Sequence, residues 1–301
     1  MSLIPGDLAV NRRRDSGAGI AYKRVCDYLA TMAISTSIGA WQAAPATASR
    51  PAFAIGDVHG RADLFEPLIA AILQIVDKEG LDKALLVTLG DYVDRGPAGL
   101  AVLKRVLDGI KHPKVESVCL PGNHEQFLRH FLESKPAERF EILWAWLDNG
   151  ADAVARELGL SELKAATEPD VFIAAIASDL GMPRVEKLFK LNNHYRLDQY
   201  VFVHGGIHPQ FGLIALKRDW RKLPRSGLEE DRDPLWVRGP FLTYDGEHDE
   251  GVIVVHGHTP RNEAELLGNR IGIDTGAYFS GRLTCVQLLG DKMRLIQAMD
   301  R

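Results

Sequence analysis

Gly56-Asp57-Val58-His59-Gly60 closes the apolar run Ala52–Gly56, and that junction decides how the rest of the chain is read. An apolar strand that ends in polar residues flanked by glycine is the means by which open α/β sheets hold ligands beyond the carboxyl ends of their strands. The glycines allow a sharp turn and close backbone approach. Four more segments repeat the construction: Gly90-Asp91-Tyr92-Val93-Asp94-Arg95-Gly96, Gly122-Asn123-His124-Glu125, His204-Gly205-Gly206 and His256-Gly257-His258-Thr259-Pro260. Each follows an apolar run. Working outward, Leu64, Leu68, Ile72, Ile75 and Val76 give Asp63–Glu79 helical spacing. Ala84–Leu89 reads as a strand, Ala98–Ile110 as a helix and Val115–Leu120 as a strand. Alternation of this kind predicts an α/β protein. Residues Gln126–Leu191 read as mostly helical, with Trp144, Trp146 and Leu147 as core anchors. Strands are expected again at Tyr200–Val203, Val252–Val255, Arg270–Ile273, Leu283–Leu288 and Met293–Ala298. Phe211–Glu250 between them is polar and irregular, the kind of loop that carries function in a compact domain.

Composition narrows the class. The 301 residues include 36 Lys+Arg and 40 Asp+Glu, for a formal net charge of −4, and 46% are hydrophobic. Such a chain is neither disordered nor a small disulfide-stapled domain. It lacks the basic surplus of a nucleic-acid binder, so no nucleic-acid partner is expected. Cys26, Cys119 and Cys285 form no C-x-x-C pair, which excludes a zinc ribbon or a thioredoxin-like motif. They read as reduced thiols, with Cys119 and Cys285 buried in strands. Residues 1–50 read as an N-terminal extension, flexible or helical, and 51–301 as the catalytic domain. The basic run Asn11–Arg14, the uncharged stretch Tyr28–Ser49 and the small residues Ala46-Thr47-Ala48 outline a weak export signal. The stretch is too weakly apolar for a membrane span. A cytoplasmic protein is therefore expected, with export as the minority alternative.

The five segments supply carboxylate, amide oxygen and imidazole, without thiolate. That donor set suits manganese, iron or zinc and argues against calcium. Asp57 and His59, two apart, would point to the same side of an extended strand end. With Asp91 they would hold one divalent ion. Asp91 would bridge to a second ion held by Asn123, His204 and His258. Two ions about 4 Å apart lower the pKa of a water and clamp both oxygens of an in-line displacement at phosphorus. Arg95, four residues after Asp91, carries a planar fork that matches phosphate oxygens. Arg238 is a second candidate clamp, and Asn123 a third candidate contact to phosphate. His124 is placed to protonate a leaving oxygen, with Asp94 orienting its imidazole and favouring its protonated form. His256 has the opposite parity to His258 and is left out of the site. His208 and His248 are read as residues that would at most line the cleft.

Together these motifs resemble the calcineurin-like metallophosphoesterases, and within them the phosphoprotein phosphatase family in its bacterial and phage form. Ile273-Asp274-Thr275-Gly276-Ala277, followed by Gly281-Arg282-Leu283-Thr284, is similar too. The resemblance runs from about Phe53 to Leu289. It implies a four-layer αββα sandwich with a mostly helical insertion. It also implies a dinuclear centre and direct attack by hydroxide held on the metals, without a phosphoenzyme. The family's ligand positions match Asp57, His59, Asp91, Asn123, His204 and His258. Its phosphate arginines match Arg95 and Arg238, and its acid and orienter match His124 and Asp94. The implied activity is phosphate monoester hydrolysis, foremost on phosphoserine or phosphothreonine in proteins, or on small phosphoesters, with manganese as the first choice of metal. Bacterial diadenosine tetraphosphate hydrolases share the layout and the Arg95-Gly96-Pro97 sequence, which makes dinucleoside polyphosphate hydrolysis the alternative. They usually lack the Asp equivalent to Asp94 and end the third motif with Asp rather than Glu. Asp94 and Glu125 are therefore the phosphatase-like choices.

Overall fold

The computed structural model describes residues 34–224 and 226–300. Two five-stranded sheets face each other. The first has the order β1 (Ser35–Ile38), β10 (Arg282–Met299), β2 (Gln42–Ile55), β3 (Ala84–Thr88), β4 (Val115–Cys119). Its strands β2, β3 and β4 are parallel, and β10 is antiparallel to both β1 and β2. The second has the order β5 (His194–Leu197), β6 (Tyr200–Val203), β7 (Ile253–His256), β9 (Arg270–Gly272), β8 (Glu265–Leu266), with β6, β7 and β9 parallel. β10 turns back at Gly290, whose φ of 58° is left-handed. Across the turn Gln297 Nε2 donates to Thr284 Oγ1 and Arg294 Nε to Gln287 Oε1. Its two arms are the two strands expected at Leu283–Leu288 and Met293–Ala298.

Alternation along the strands builds the layers. Ala52 and Ala54 of β2 pack between the sheets with Tyr200 and Phe202 of β6 and Val255 of β7. Phe53 and Ile55 turn the other way, into a core under the helices α1 (Ala62–Lys78) and α2 (Gly99–Asp108). That core continues into the helices α3 (Asn123–Glu133), α4 (Arg139–Leu147), α5 (Asp152–Glu157), α6 (Glu162–Thr167), α7 (Pro169–Leu180) and α8 (Met182–Phe189). On the outer face of the second sheet, Val201, Val203 and Val254 pack against Leu216, Val237 and Phe241. This fourth layer is not a pair of long helices. It is the 207–251 segment, with a 3-10 helix (Gly212–Lys217) and the short helices α9 (Gly227–Glu230) and α10 (Gly239–Leu242).

Several sequence expectations are corrected here. Position 50/51 is not a boundary, because β2 runs through it from Gln42 to Ile55. Ala44, Ala46 and Ala48 pack into the inter-sheet core, and Ala48 pairs with Gly290. The small-residue stretch read as a cleavage site is thus a sheet strand. The basic run, Cys26 and the remainder of the expected extension lie outside the described residues. Trp144 is 55% exposed, whereas Trp146 is fully buried. Two positions on a helix differ by about 200°, so the pair cannot share one face. Cys285 is buried and Cys119 only partly so. Among the described residues, no helix is long and apolar enough to cross a membrane.

Candidate active site

The five glycine-flanked segments meet at the carboxyl ends of β2, β3, β4, β6 and β7. Two facing sheets end there, so residues about 200 apart in sequence come together. The turns are tight. Of the eight non-glycine residues with positive φ among the described residues, five lie here: His59, Asp91, Asp94, Arg95 and His258. Unfavourable backbone of this kind concentrates where side-chain placement matters. Asp57 and His59 therefore do not share a side through extended geometry, as expected from their spacing. His59 is turned by a φ of 43° instead. Two glycines are fixed by close approach. A Cβ at Gly122 would lie 2.0 Å from Asp91 Oδ1, and one at Gly257 would lie 2.0 Å from Asp57 Oδ1.

Three imidazoles are oriented by backbone carbonyls. His59 Nδ1 lies 2.9 Å from Val93 O, His204 Nδ1 2.9 Å from Leu89 O and His258 Nε2 3.1 Å from Trp236 O. A nitrogen facing a carbonyl carries the proton, which leaves the other ring nitrogen as a bare lone pair. His204 Nε2 and His258 Nδ1 both aim that lone pair at Asn123 Oδ1, at 3.0 and 2.9 Å. Asp91 Oδ1 stands 3.3 Å from His204 Nε2, and Asp91 Oδ2 stands 3.4 Å from His59 Nε2. Acceptors converging without protons between them fit a cation. The ligand atoms of Asp91, His204 and His258 all lie within 4.8 Å of one another, as do those of His59, Asp91 and His124. The residues present therefore suit the divalent metal ions that the fold implies.

The trio that contains His59 differs from the expected one. His124 takes part in it, while the Asp57 carboxylate is turned toward the His258 N–H, at 3.0 and 3.1 Å, and toward Asp274. Burial, then Asp274 and Asp91, raise Asp57 well above the usual carboxylate range. Burial acts on Asp91 in the same sense, but His204 and His124 outweigh it and hold Asp91 well below that range. A divalent cation would relieve this crowding of buried carboxylates.

Arg95 forks across two rings. Nη1 donates to His59 Nε2 at 2.9 Å and Nη2 to His124 Nε2 at 3.0 Å. A phosphate oxygen or a cation at His59 Nε2 would compete for this fork. Behind it, His124 Nδ1 is 2.6 Å from Asp94 Oδ2, which also accepts from Trp146 Nε1 at 2.7 Å. Burial lowers His124 to about 4, and Arg95 adds to the effect. Burial also raises Asp94 well above its ordinary value. Burial thus pushes both partners toward their neutral forms. Arg238 Nη1 reaches over the site to His258 O and Thr259 Oγ1, both at 3.1 Å. Asp233 nearby pairs with Arg218. His256 is buried in β7 outside the ligand set. His248 lines a depression of about 430 Å³ with Thr243 and Arg270, between the starts of β7 and β9, away from the site.

Four residues matter more than their sequence context suggested. Glu125 accepts the backbone N–H groups of Asp91, Tyr92 and Val93 and of Gly122, and so binds the second motif to the third. Burial and Asp91 push it up to about 7. Asp274 accepts from Gly276 N and touches Asp57. Trp146 supplies the donor to Asp94 from within the helical insertion. Trp236 supplies the carbonyl that fixes His258. Glu125 and Asp274 stood inside the sequence motifs and Trp146 among the expected core residues, but the contacts that give these four residues their roles are tertiary and leave no local signal.

Parallel strands in two facing sheets, with imidazole, carboxylate and arginine gathered at one end, define a metal-dependent hydrolase acting on phosphoesters. The chain belongs to the calcineurin-like phosphoesterases, whose family profile matches residues 51–286. It is similar to the asymmetrical bis(5'-nucleosyl)-tetraphosphatase PrpE of Halalkalibacterium halodurans, with 27% identity over 246 residues, covering 77% of this chain and 88% of that one. The protein of the same name from Anoxybacillus flavithermus is 24% identical over 237 residues, with the same coverage. A crystal structure provisionally named a diadenosine tetraphosphatase shares the fold, with a TM-score of 0.50 and 17% identity over 83% of this chain and 94% of that one.

Proposed function

We propose that this protein hydrolyses dinucleoside polyphosphates such as diadenosine tetraphosphate, cutting off-centre to release a nucleoside mono- and triphosphate. The observation that carries this reading is the set of relatives named for that activity, aligned over 77% of the chain. In this reading Asp57, His59, Asp91, Asn123, His204 and His258 hold two divalent ions, with manganese first and iron or zinc as alternatives. When bound, the ions supply Lewis-acid charge and a water of lowered pKa. Arg95 leaves the imidazoles and takes two oxygens of the attacked phosphate in its planar fork. Arg238 and Asn123 contact the same group. Polar side chains buried around the phosphate exclude bulk water and strengthen every charge–charge contact there. His124 stands on the leaving-oxygen side with its ring aligned by Asp94 through Nδ1, although a nucleotide phosphate departs readily without its proton. A nucleotide substrate accords with a cytoplasmic protein that needs neither nucleic acid nor membrane.

One observation favours a second reading, a phosphomonoesterase acting on phosphoserine or phosphothreonine in proteins or on small phosphoesters. The Asp94–His124 contact of 2.6 Å builds a general acid. A serine alkoxide needs such an acid, whereas a nucleotide phosphate leaves readily without one. Comparing kcat/KM on diadenosine tetraphosphate and on a phosphoserine peptide, with the same Mn²⁺-loaded protein, decides between them. The dinucleotide is expected to be preferred at least tenfold; a preference for the peptide would reverse the assignment.

A further inference from the structure

The helix α11 (Ala277–Ser280) carries two aromatic side chains beside the site that no step above uses. Tyr278 meets the His59 ring edge-on, with centroids 5.5 Å apart. The Arg95 guanidinium lies over the Tyr278 ring, 5.0 Å from its centroid. Phe279 stands against Tyr278 at 4.9 Å with the rings nearly perpendicular, and is 61% exposed.

These rings are held in place. Arg61 Nη1 donates to Ala277 O and Ser280 Oγ to Thr275 O, which tie the helix to the body of the domain. Phe279 folds back over Gly276, where a Cβ would come 2.2 Å from its Cζ. A lone exposed phenylalanine needs no explanation. A fixed ring, one ring away from the arginine that faces the phosphate position, does. Arg95 already covers one face of Tyr278, which is 38% exposed, so Phe279 at 61% is the ring with more surface to offer. An exposed aromatic face stacks nucleobases of any kind.

We infer that Phe279, positioned by Tyr278, is the stacking platform for a nucleobase of the substrate, and that Tyr278 keeps the Arg95 fork aligned. The inference rests on the reading of the protein as a dinucleoside polyphosphate hydrolase, and it assigns the nucleoside to the α11 side of the site. The phosphate next to the scissile bond lies on Arg95, the ribose passes Tyr278 and the base reaches Phe279. Stacking of this kind prefers a base to no base and discriminates little between adenine and guanine.

The test is a binding measurement independent of turnover. Dissociation constants of AMP and of ribose 5-phosphate, which has the same phosphate and sugar without a base, are measured by calorimetry on the full Mn²⁺-loaded chain. Wild type is compared with Phe279→Leu and Phe279→Tyr. AMP is expected to bind wild type about tenfold more tightly than ribose 5-phosphate. Phe279→Leu is expected to lose most of that advantage and Phe279→Tyr to keep it. Unchanged ribose 5-phosphate affinity in both variants shows that the site is intact. Equal affinity of wild type for the two ligands, or a full AMP advantage in Phe279→Leu, overturns the inference. An AMP advantage without hydrolysis of diadenosine tetraphosphate removes the functional reading alone. Hydrolysis without an AMP advantage removes the platform alone.

Discussion

His124 Nδ1 and Asp94 Oδ2 lie 2.6 Å apart in a fully buried contact, and the second oxygen of Asp94 has no hydrogen-bond partner among the described residues. A carboxyl group buried with one oxygen unpartnered is costly in its charged form. Its retention beside the ring points to a role in orienting His124. Asp94→Asn removes the acidic partner and leaves the shape. The variant is expected to fold with near wild-type stability. It should lose about 10²-fold in kcat on an alkyl phosphate monoester, with little change in KM. Steady-state kinetics together with a thermal melt checks both statements.

His124 itself is tested through the leaving group. His124→Ala is expected to slow an alkyl monoester by about 10²–10⁴-fold. Its effect on diadenosine tetraphosphate should be well under tenfold, because a nucleotide phosphate departs without help. Equal losses on the two substrates would take the proton-donor role away from His124.

Glu125 holds four backbone N–H groups from two loops. Glu125→Ala leaves those donors buried and unpaired, which is expected to cost at least about 3 kcal/mol. Urea denaturation reads this as a lowered midpoint with an unchanged slope. Glu125→Asp, one methylene shorter, cannot reach both loops and should fall between wild type and alanine.

Glu157 gives a pH dependence far from the site. Its two carboxylate oxygens accept the Leu100 and Ala101 N–H groups at the start of α2, 2.8 and 2.9 Å away. Burial raises the group from 4.5 to about 7 despite those two donors. The folded chain then keeps this proton over a pH range in which the unfolded chain has lost it. The associated stability is fully present below pH 4.5 and disappears as the pH rises through about 7. Denaturation of wild type and Glu157→Gln between pH 4.5 and 8 should show wild type losing up to about 3 kcal/mol relative to the variant. Parallel curves would contradict this.

The strand ends of the site were legible in the sequence because glycine-flanked Asp, Asn and His after apolar runs are a local signal. Asp57, Asp91, Asn123, His204 and His258 all came from it. Asp57 and His59 do not face the site through their two-residue spacing, because spacing does not reveal a left-handed residue such as His59. The strand at 42–50 was hidden because alanine has weak strand preference, and its partners at 290–293 lie far along the chain. Trp144 and Trp146 looked alike as apolar residues, and only the helix phase separates them. Asp274 beside Asp57, Trp146 against Asp94 and Tyr278 under Arg95 join residues that are distant in sequence, so no local pattern announces them. The same holds for substrate choice. Asp94 and Glu125 read as phosphatase-like, while the named relatives point to dinucleoside polyphosphates.

The proposed activity is hydrolysis of a dinucleoside polyphosphate at a metal site. Its most direct test is chromatographic analysis of the products formed from diadenosine tetraphosphate by the Mn²⁺-loaded protein, before and after chelation. AMP and ATP in equal amounts, both abolished by the chelator and restored by Mn²⁺, are the predicted result. No turnover, ADP as the sole product, or full activity after demetallation would contradict it.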